Sequence, residues 1–291
     1  MDTSRFLKRL WLFLIRLQRE IGHDDCMGMA AQIAYYTMLG LFPFLIFLMS
    51  LLSTFPLGES LQPLMLEELE LQMPAEAASY VTDTVLNILP GSSLGALSLG
   101  LLASLWGASM AIGALITTIN RAYNIRPQRN MVVQKLYAIA LTLVLSGLWL
   151  MSLTIVLVGP GITQEIFEYL GIASETNTFW TSIRLPMALV LNIMALSILY
   201  YIAPEAKQKF RWILPGAFTS ALLWVAASSA FRIFLRNFGT YNTTYGSLAA
   251  VVILLVWLWI SGFVFLLGAE INSLMKRQQH EDEVRPFRRH Y

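Results

Sequence analysis

The chain has 291 residues, a formal net charge of +2, 56% hydrophobic residues and only 13% charged ones. Ordinary soluble domains carry about 25% charged residues, so a soluble enzyme built around a water-filled cleft is excluded. The lone Cys26 excludes an intrachain disulfide and a thiolate metal cluster.

At the N-terminus, residues 5–20 read as an amphipathic helix in the membrane interface. Arg5, Arg9, Arg16 and Arg19 recur at near-helical spacing, with Phe6, Leu10, Phe13, Leu14 and Leu17 on the other side. Arg16 interrupts the apolar run and no small-residue cleavage site follows, so no cleavable signal peptide is expected. Next comes the polar run His23-Asp24-Asp25-Cys26, where Asp24 or Asp25 is placed to cap the following helix.

Six apolar blocks follow, at roughly Gln32–Phe55, Leu94–Thr118, Leu136–Gly159, Ile183–Ile202, Trp212–Phe234 and Ser247–Ile271. Each has about the 20 residues that a helix needs to cross a hydrocarbon core with its backbone groups satisfied internally. Pro43 lies inside the first block and is expected to kink it. The expected fold is an all-α polytopic membrane bundle of six transmembrane helices. Residues 1–31 form a cytoplasmic N-terminus with the interfacial helix, 32–271 the six-helix domain and 272–291 a cytoplasmic basic tail.

Seventeen of the 20 Lys and Arg residues precede the first block, follow the last, or lie in the second and fourth gaps. Only Arg184, Arg232 and Arg236 fall toward the other side. The positive-inside rule then puts both termini in the cytoplasm. Residues 56–93 carry Glu59, Glu67, Glu68, Glu70, Glu76 and Asp83 without Lys or Arg, as expected outside. Two short amphipathic helices are expected there, the second starting at Pro74 and ended by Pro90-Gly91, with a smaller one at 162–170. The two three-span halves enter from opposite sides, as in inverted-repeat transporters, but share no residue-level similarity.

Two constellations stand out. Gly100, Ser104, Gly107, Ala111, Ala114 and Thr118 form a continuous small-residue stripe at alternating +4 and +3 offsets. Such a stripe lets helix backbones approach closely, as a tight seam, or else flanks a narrow conduit. The second is polar. Asp25, Gln32, Tyr35 and Tyr36 near the start of span one, with Glu270 and Asn272 near the end of span six, are expected to line a cavity open to the cytoplasm. A carboxylate at Glu270's depth must face protein or water. It either pairs with Arg121 or Lys135, or serves as a proton- or cation-sensitive group. Asn192, mid-span in the fourth block, is expected to make an interhelical hydrogen bond, and Arg232 and Arg236 to snorkel.

The three histidines show no metal-ligand spacing, and no P-loop or GxSxG elbow is present. No cofactor and no nucleic-acid partner are expected, and an enzyme is disfavoured.

Ala30-Ala31-Gln32-Ile33-Ala34-Tyr35-Tyr36 with Leu41-Phe42-Pro43 resembles the first-span motif of the YihY/BrkB family of bacterial inner-membrane proteins. Asn120-Arg121-Ala122-Tyr123, Tyr245-Gly246-Ser247-Leu248-Ala249 and Gly268-Ala269-Glu270-Ile271-Asn272 complete the resemblance, which runs from about residue 20 to 275. It implies a multi-pass protein of the bacterial cytoplasmic membrane with six spans and both termini inside. The family has carried a ribonuclease label, against which the absent nuclease chemistry stands. Two functions are open at this point. One is a passive or secondary transporter of an amphipathic or lipid-like substrate. The other is a non-transporting protein that organises an envelope complex, with its acidic outer loop as contact surface. Membrane lipids are the expected partners, with an envelope protein or a second copy of the chain as further ones.

Overall fold

The computed structural model describes residues 3–52, 94–126, 128–157, 174–205, 208–237 and 247–284. Among these residues all extended regular structure is α-helical: α1 Thr3–His23, α2 Cys26–Leu52, α3 Leu94–Ala122, α4 Met131–Leu157, α5 Ser174–Ile202, α6 Leu214–Asn237 and α7 Ser247–Val284. A single 3-10 turn, Phe210–Trp212, precedes α6. Five of the helices, α3 to α7, are long and apolar enough to cross a membrane. α2 has 27 residues and no charged side chain, with Pro43 inside it. The expected loop helices at 56–93 and 162–170 fall outside the described residues.

Hydropathy located the helices but understated their ends. α2 starts at Cys26 rather than Gln32, and α5 at Ser174 rather than Ile183. α7 runs on through the supposed tail to Val284. Apolar content reports only the part that can sit in hydrocarbon, whereas Lys276, Arg277, Gln278 and Gln279 are good helix formers that extend α7 into a polar medium.

The helices pack in chain order as a closed ring: α2 on α3, then α4, α5, α6 and α7, which returns to α2. α3 and α7 also touch each other directly. Neighbours run antiparallel, so α2, α4 and α6 begin, and α3, α5 and α7 finish, at one end, called here the base. At the base, the two Lys/Arg-bearing connections meet. The Glu205 N–H donates to Asn120 Oδ1 at 2.9 Å, and the Gln128 N–H donates to Glu205 Oε2 at 2.8 Å. Arg129 Nε stands 3.9 Å from Glu205 Oε1. α1 lies against the base ends of α2 and α7. Its Phe13, Leu17 and Ile21 are half-buried, while Leu7, Trp11, Leu14 and Ile15 form an exposed apolar row. That division suits a helix lying in an interface.

Candidate functional site

Near the base, α7 points Glu270, Asn272 and the Ser273–Arg277 pair in three directions, because successive helical residues turn by about 100°. Asn272, fully buried, faces α6, where its Oδ1 accepts the Gly216 N–H at 2.8 Å. This crossing is close: a Cβ on Gly268 would come within 2.5 Å of the Tyr200 hydroxyl and 2.8 Å of Gly216 O. Tyr200 itself, fully buried, donates to Phe265 O at 2.6 Å and meets Ser220 Oγ at 3.0 Å. Ser273 donates to Ala122 O at 2.5 Å, and Arg277 donates to the same carbonyl at 2.6 Å, closing the end of α3.

Glu270 faces the elbow between α1 and α2. It is 1% exposed. Cys26 Sγ lies 3.6 Å from Glu270 Oε1, while among the described residues Oε2 has no hydrogen-bond partner. Asp24, 6% exposed, lies close enough for its charge to bear on Glu270, and among the described residues its own Oδ2 is also unpartnered. The other oxygen, Oδ1, lies 2.8 Å from His23 Nδ1. Glu20 completes the group: its Oε1 accepts from Arg277 at 3.0 Å, and ligand atoms of Glu20, His23 and Asp24 all lie within 4.8 Å of one another. Burial, followed by the nearby Glu270 charge, also pushes the Tyr123 phenol above its usual range. Two buried carboxyls thus face each other with free lone pairs, an arrangement that can hold a shared proton or a cation.

The six residues expected to line one cavity are divided by the structure. Asp25 is exposed, sits at φ 51° and accepts the Gly28 N–H at 3.2 Å, so it caps α2. Gln32 and Tyr35 are exposed. They lie on the side of α2 away from Ala30 and Ile33, which meet Gly262 of α7, and from Gly40, which meets α3. Tyr36 is half-buried against the core, 5.7 Å from the Tyr35 ring. Glu270 and Asn272, two residues apart, are turned by about 200° and face different neighbours. The structure thus does not gather the six around one point. Polarity at equal depth does not fix the azimuth of a side chain.

All six stripe residues, Gly100, Ser104, Gly107, Ala111, Ala114 and Thr118, are buried. A Cβ on Gly107 would lie 2.6 Å from Gly40 Cα, and one on Gly100 would lie 3.3 Å from Pro43 O. Ser104 and Thr118 donate to Leu101 O and Ala114 O of their own helix, so their hydroxyl hydrogens are satisfied without a partner on α2. Neither cation considered for Glu270 reaches it. Arg121 extends to Met29 Sδ at 3.9 Å, and Lys135 donates to Ser109 Oγ at 2.7 Å. Asn192 makes its interhelical bond, to Ser152 Oγ at 3.0 Å.

Three participants escaped the sequence reading: Glu20, His23 and Asp24 as one set, Gly40 as the partner of Gly107, and Tyr200. The first had a signal, since offsets of +3 and +4 from Glu20 put His23 and Asp24 on one helical face.

The profile of the family described as virulence factor BrkB matches residues 17–290. The putative ribonuclease-like protein YfkH of Bacillus subtilis is 31% identical over 258 residues, covering 89% of this chain and 93% of that protein. A UPF0761 membrane protein of Photobacterium profundum is 30% identical over 285 residues, covering 94% and 84%. Another, of Vibrio parahaemolyticus, is 28% identical over 287 residues, covering 96% and 87%. No solved structure matches. With a match running from α1 to beyond the end of α7 and relatives aligned over most of both chains, this integral membrane protein belongs to the BrkB virulence-factor family.

Proposed function

We propose that the chain is a six-span protein of the bacterial cytoplasmic membrane, with both termini inside. We further propose that it acts as a passive or secondary transporter of an amphipathic or lipid-like substrate, not as an enzyme. The topology is supported by the antiparallel ring and by the meeting of the Lys/Arg-bearing connections at its base, the side that the positive-inside rule assigns to the cytoplasm. After Cys26→Ser, a cysteine introduced at position 280 should resist an impermeant thiol reagent in intact cells; ready labelling there would overturn this orientation.

The observation that carries transport is Glu270. A carboxyl 1% exposed at the base of a span, with one oxygen unpartnered and a second carboxyl beside it, weakens a purely structural bundle. Burying an ion costs several kcal/mol in effect, so such groups mark ion and substrate pathways. Support for an amphipathic substrate comes from α2, whose exposed side sets Gln32 and Tyr35 beside Met27 and Leu39. Polar and apolar groups there can receive a head and a tail together.

The test is reconstitution into liposomes with a fluorescent-lipid scrambling assay and a panel of amphiphilic solutes. Wild-type protein is expected to raise flux above protein-free vesicles. Glu270→Gln should change that flux while keeping the folded yield and thermal midpoint. No flux above background for any probe would overturn transport and leave the envelope-organising reading. Parallel loss of fold and flux in Glu270→Gln would make Glu270 structural. Purified protein is expected to show no RNA hydrolysis above a mock preparation.

A further inference from the structure

We propose that the junction of α1, α2 and α7 is a binding site for a divalent transition-metal cation such as Mn2+ or Zn2+, held by Glu20, His23 and Asp24, with the buried Glu270 carboxyl beside Asp24. Three observations meet here. Ligand atoms of Glu20, His23 and Asp24 lie within 4.8 Å of one another, close enough for one ion to span them. Glu270 arrives from α7, 246 positions after Asp24 in the chain, 1% exposed, near Asp24 and with Oε2 unpartnered among the described residues. Asp24 Oδ2, on a residue 6% exposed, is the second unpartnered oxygen. Two such acceptor atoms, one in the elbow after α1 and one on α7, call for a proton or a cation between them.

The charges agree. Glu20, Asp24 and Glu270 set three carboxyls against one guanidinium at contact distance, that of Arg277 on Glu20. Carboxyls outnumber the guanidinium at this junction, a balance that favours a bound cation. Of the neighbours, Cys26 is buried against Glu270, Asp25 faces away as a helix cap, and Lys276 lies over the Tyr123 ring at 5.4 Å. The donor set selects among cations. Mg2+ and Ca2+ take oxygen ligands and, in Mg2+'s case, several waters, whereas imidazole with carboxylates suits Mn2+ and Zn2+. His23, whose side chain is 72% exposed, gives the ion its route from the solvent. A neutral imidazole offers one nitrogen to the metal, and the 2.8 Å contact to Asp24 shows how near the two donors already stand.

The site would exist whether or not the chain moves a substrate, so its test is binding and not flux. Full-length protein in detergent, stripped with chelator, is titrated with Mn2+, Zn2+, Mg2+ and Ca2+ separately, reading calorimetry, the Mn2+ electron paramagnetic resonance signal and the thermal midpoint. One saturable site for Mn2+ or Zn2+ is expected, with a raised midpoint. Asp24→Asn should abolish it, and Glu270→Gln, which removes the neighbouring negative charge, should weaken it. His23→Ala changes an exposed side chain and so keeps the fold if the buried variants do not; it should weaken binding by about tenfold or more. Absence of saturable binding to wild type would overturn the proposal and leave the two carboxyls sharing a proton. Unchanged affinity in folded Asp24→Asn, Glu270→Gln or His23→Ala would overturn it equally, as would a preference for Mg2+ or Ca2+.

Discussion

The seam between α2 and α3 and the base of α7 are joined by different physics. At the seam, Gly40 and Gly107 bring two backbones together, Gly100 lies against Pro43, and the stripe's hydroxyls bond within their own helix. Contact there is van der Waals and depends on absent volume. At the base, Asn272, Ser273, Arg277 and Glu270 each reach another element through polar atoms, and among the described residues Glu270 and its neighbour Asp24 each keep an oxygen without a partner. The seam is tuned for adhesion alone. The base holds groups whose state can change.

Changing the two regions should therefore hurt in opposite ways. Gly107→Leu inserts four carbons where even a Cβ would lie 2.6 Å from Gly40. The helices must separate, costing roughly 1–3 kcal/mol or more, read as a lower thermal midpoint in detergent. A wild-type midpoint would mean that the seam is not close-packed. Asn272→Ala adds no volume but strands the buried Gly216 N–H, a loss of about 1–3 kcal/mol. Its marker is hydrogen exchange: faster exchange at Gly216 is expected, with α2 and α3 unaffected. Uniformly faster exchange throughout would erase the distinction between the regions. Smallest of all, Gln32→Leu on the exposed side of α2 should alter stability by no more than about 0.5 kcal/mol. A large drop would return Gln32 to a packed polar site.

The seam was legible in the sequence because close packing in lipid leaves a one-dimensional trace, small residues at +3 and +4. Its partner was not, since Gly40 is a lone glycine among large neighbours and nothing local marks what it will meet. Glu270 was legible as an intramembrane carboxyl by its cost alone. Its neighbour Asp24 was separated from it by nearly the whole chain; it was read with Asp25 as one of two candidate helix caps, and Asp25 performs that role. Gln32 and Tyr35 were assigned to the site by depth, but depth leaves the direction around the helix axis open. Hydropathy found the apolar helices and missed the continuation of α7, whose last turns are polar and stay helical by propensity.

The elbow before α2 is short. α1 ends at His23 and α2 begins at Cys26, with Asp25 held in a left-handed conformation between them. Asp24 is thus fixed to the end of a rod of 21 residues, about 30 Å long at 1.5 Å per residue. Any lift or tilt of that rod, whose apolar row faces outward, swings Asp24 about the elbow and changes its distance to Glu270. Geometrically, α1 is a lever arm with Asp24 at its short end, so the angle of α1 and the gap between the two carboxyls are linked.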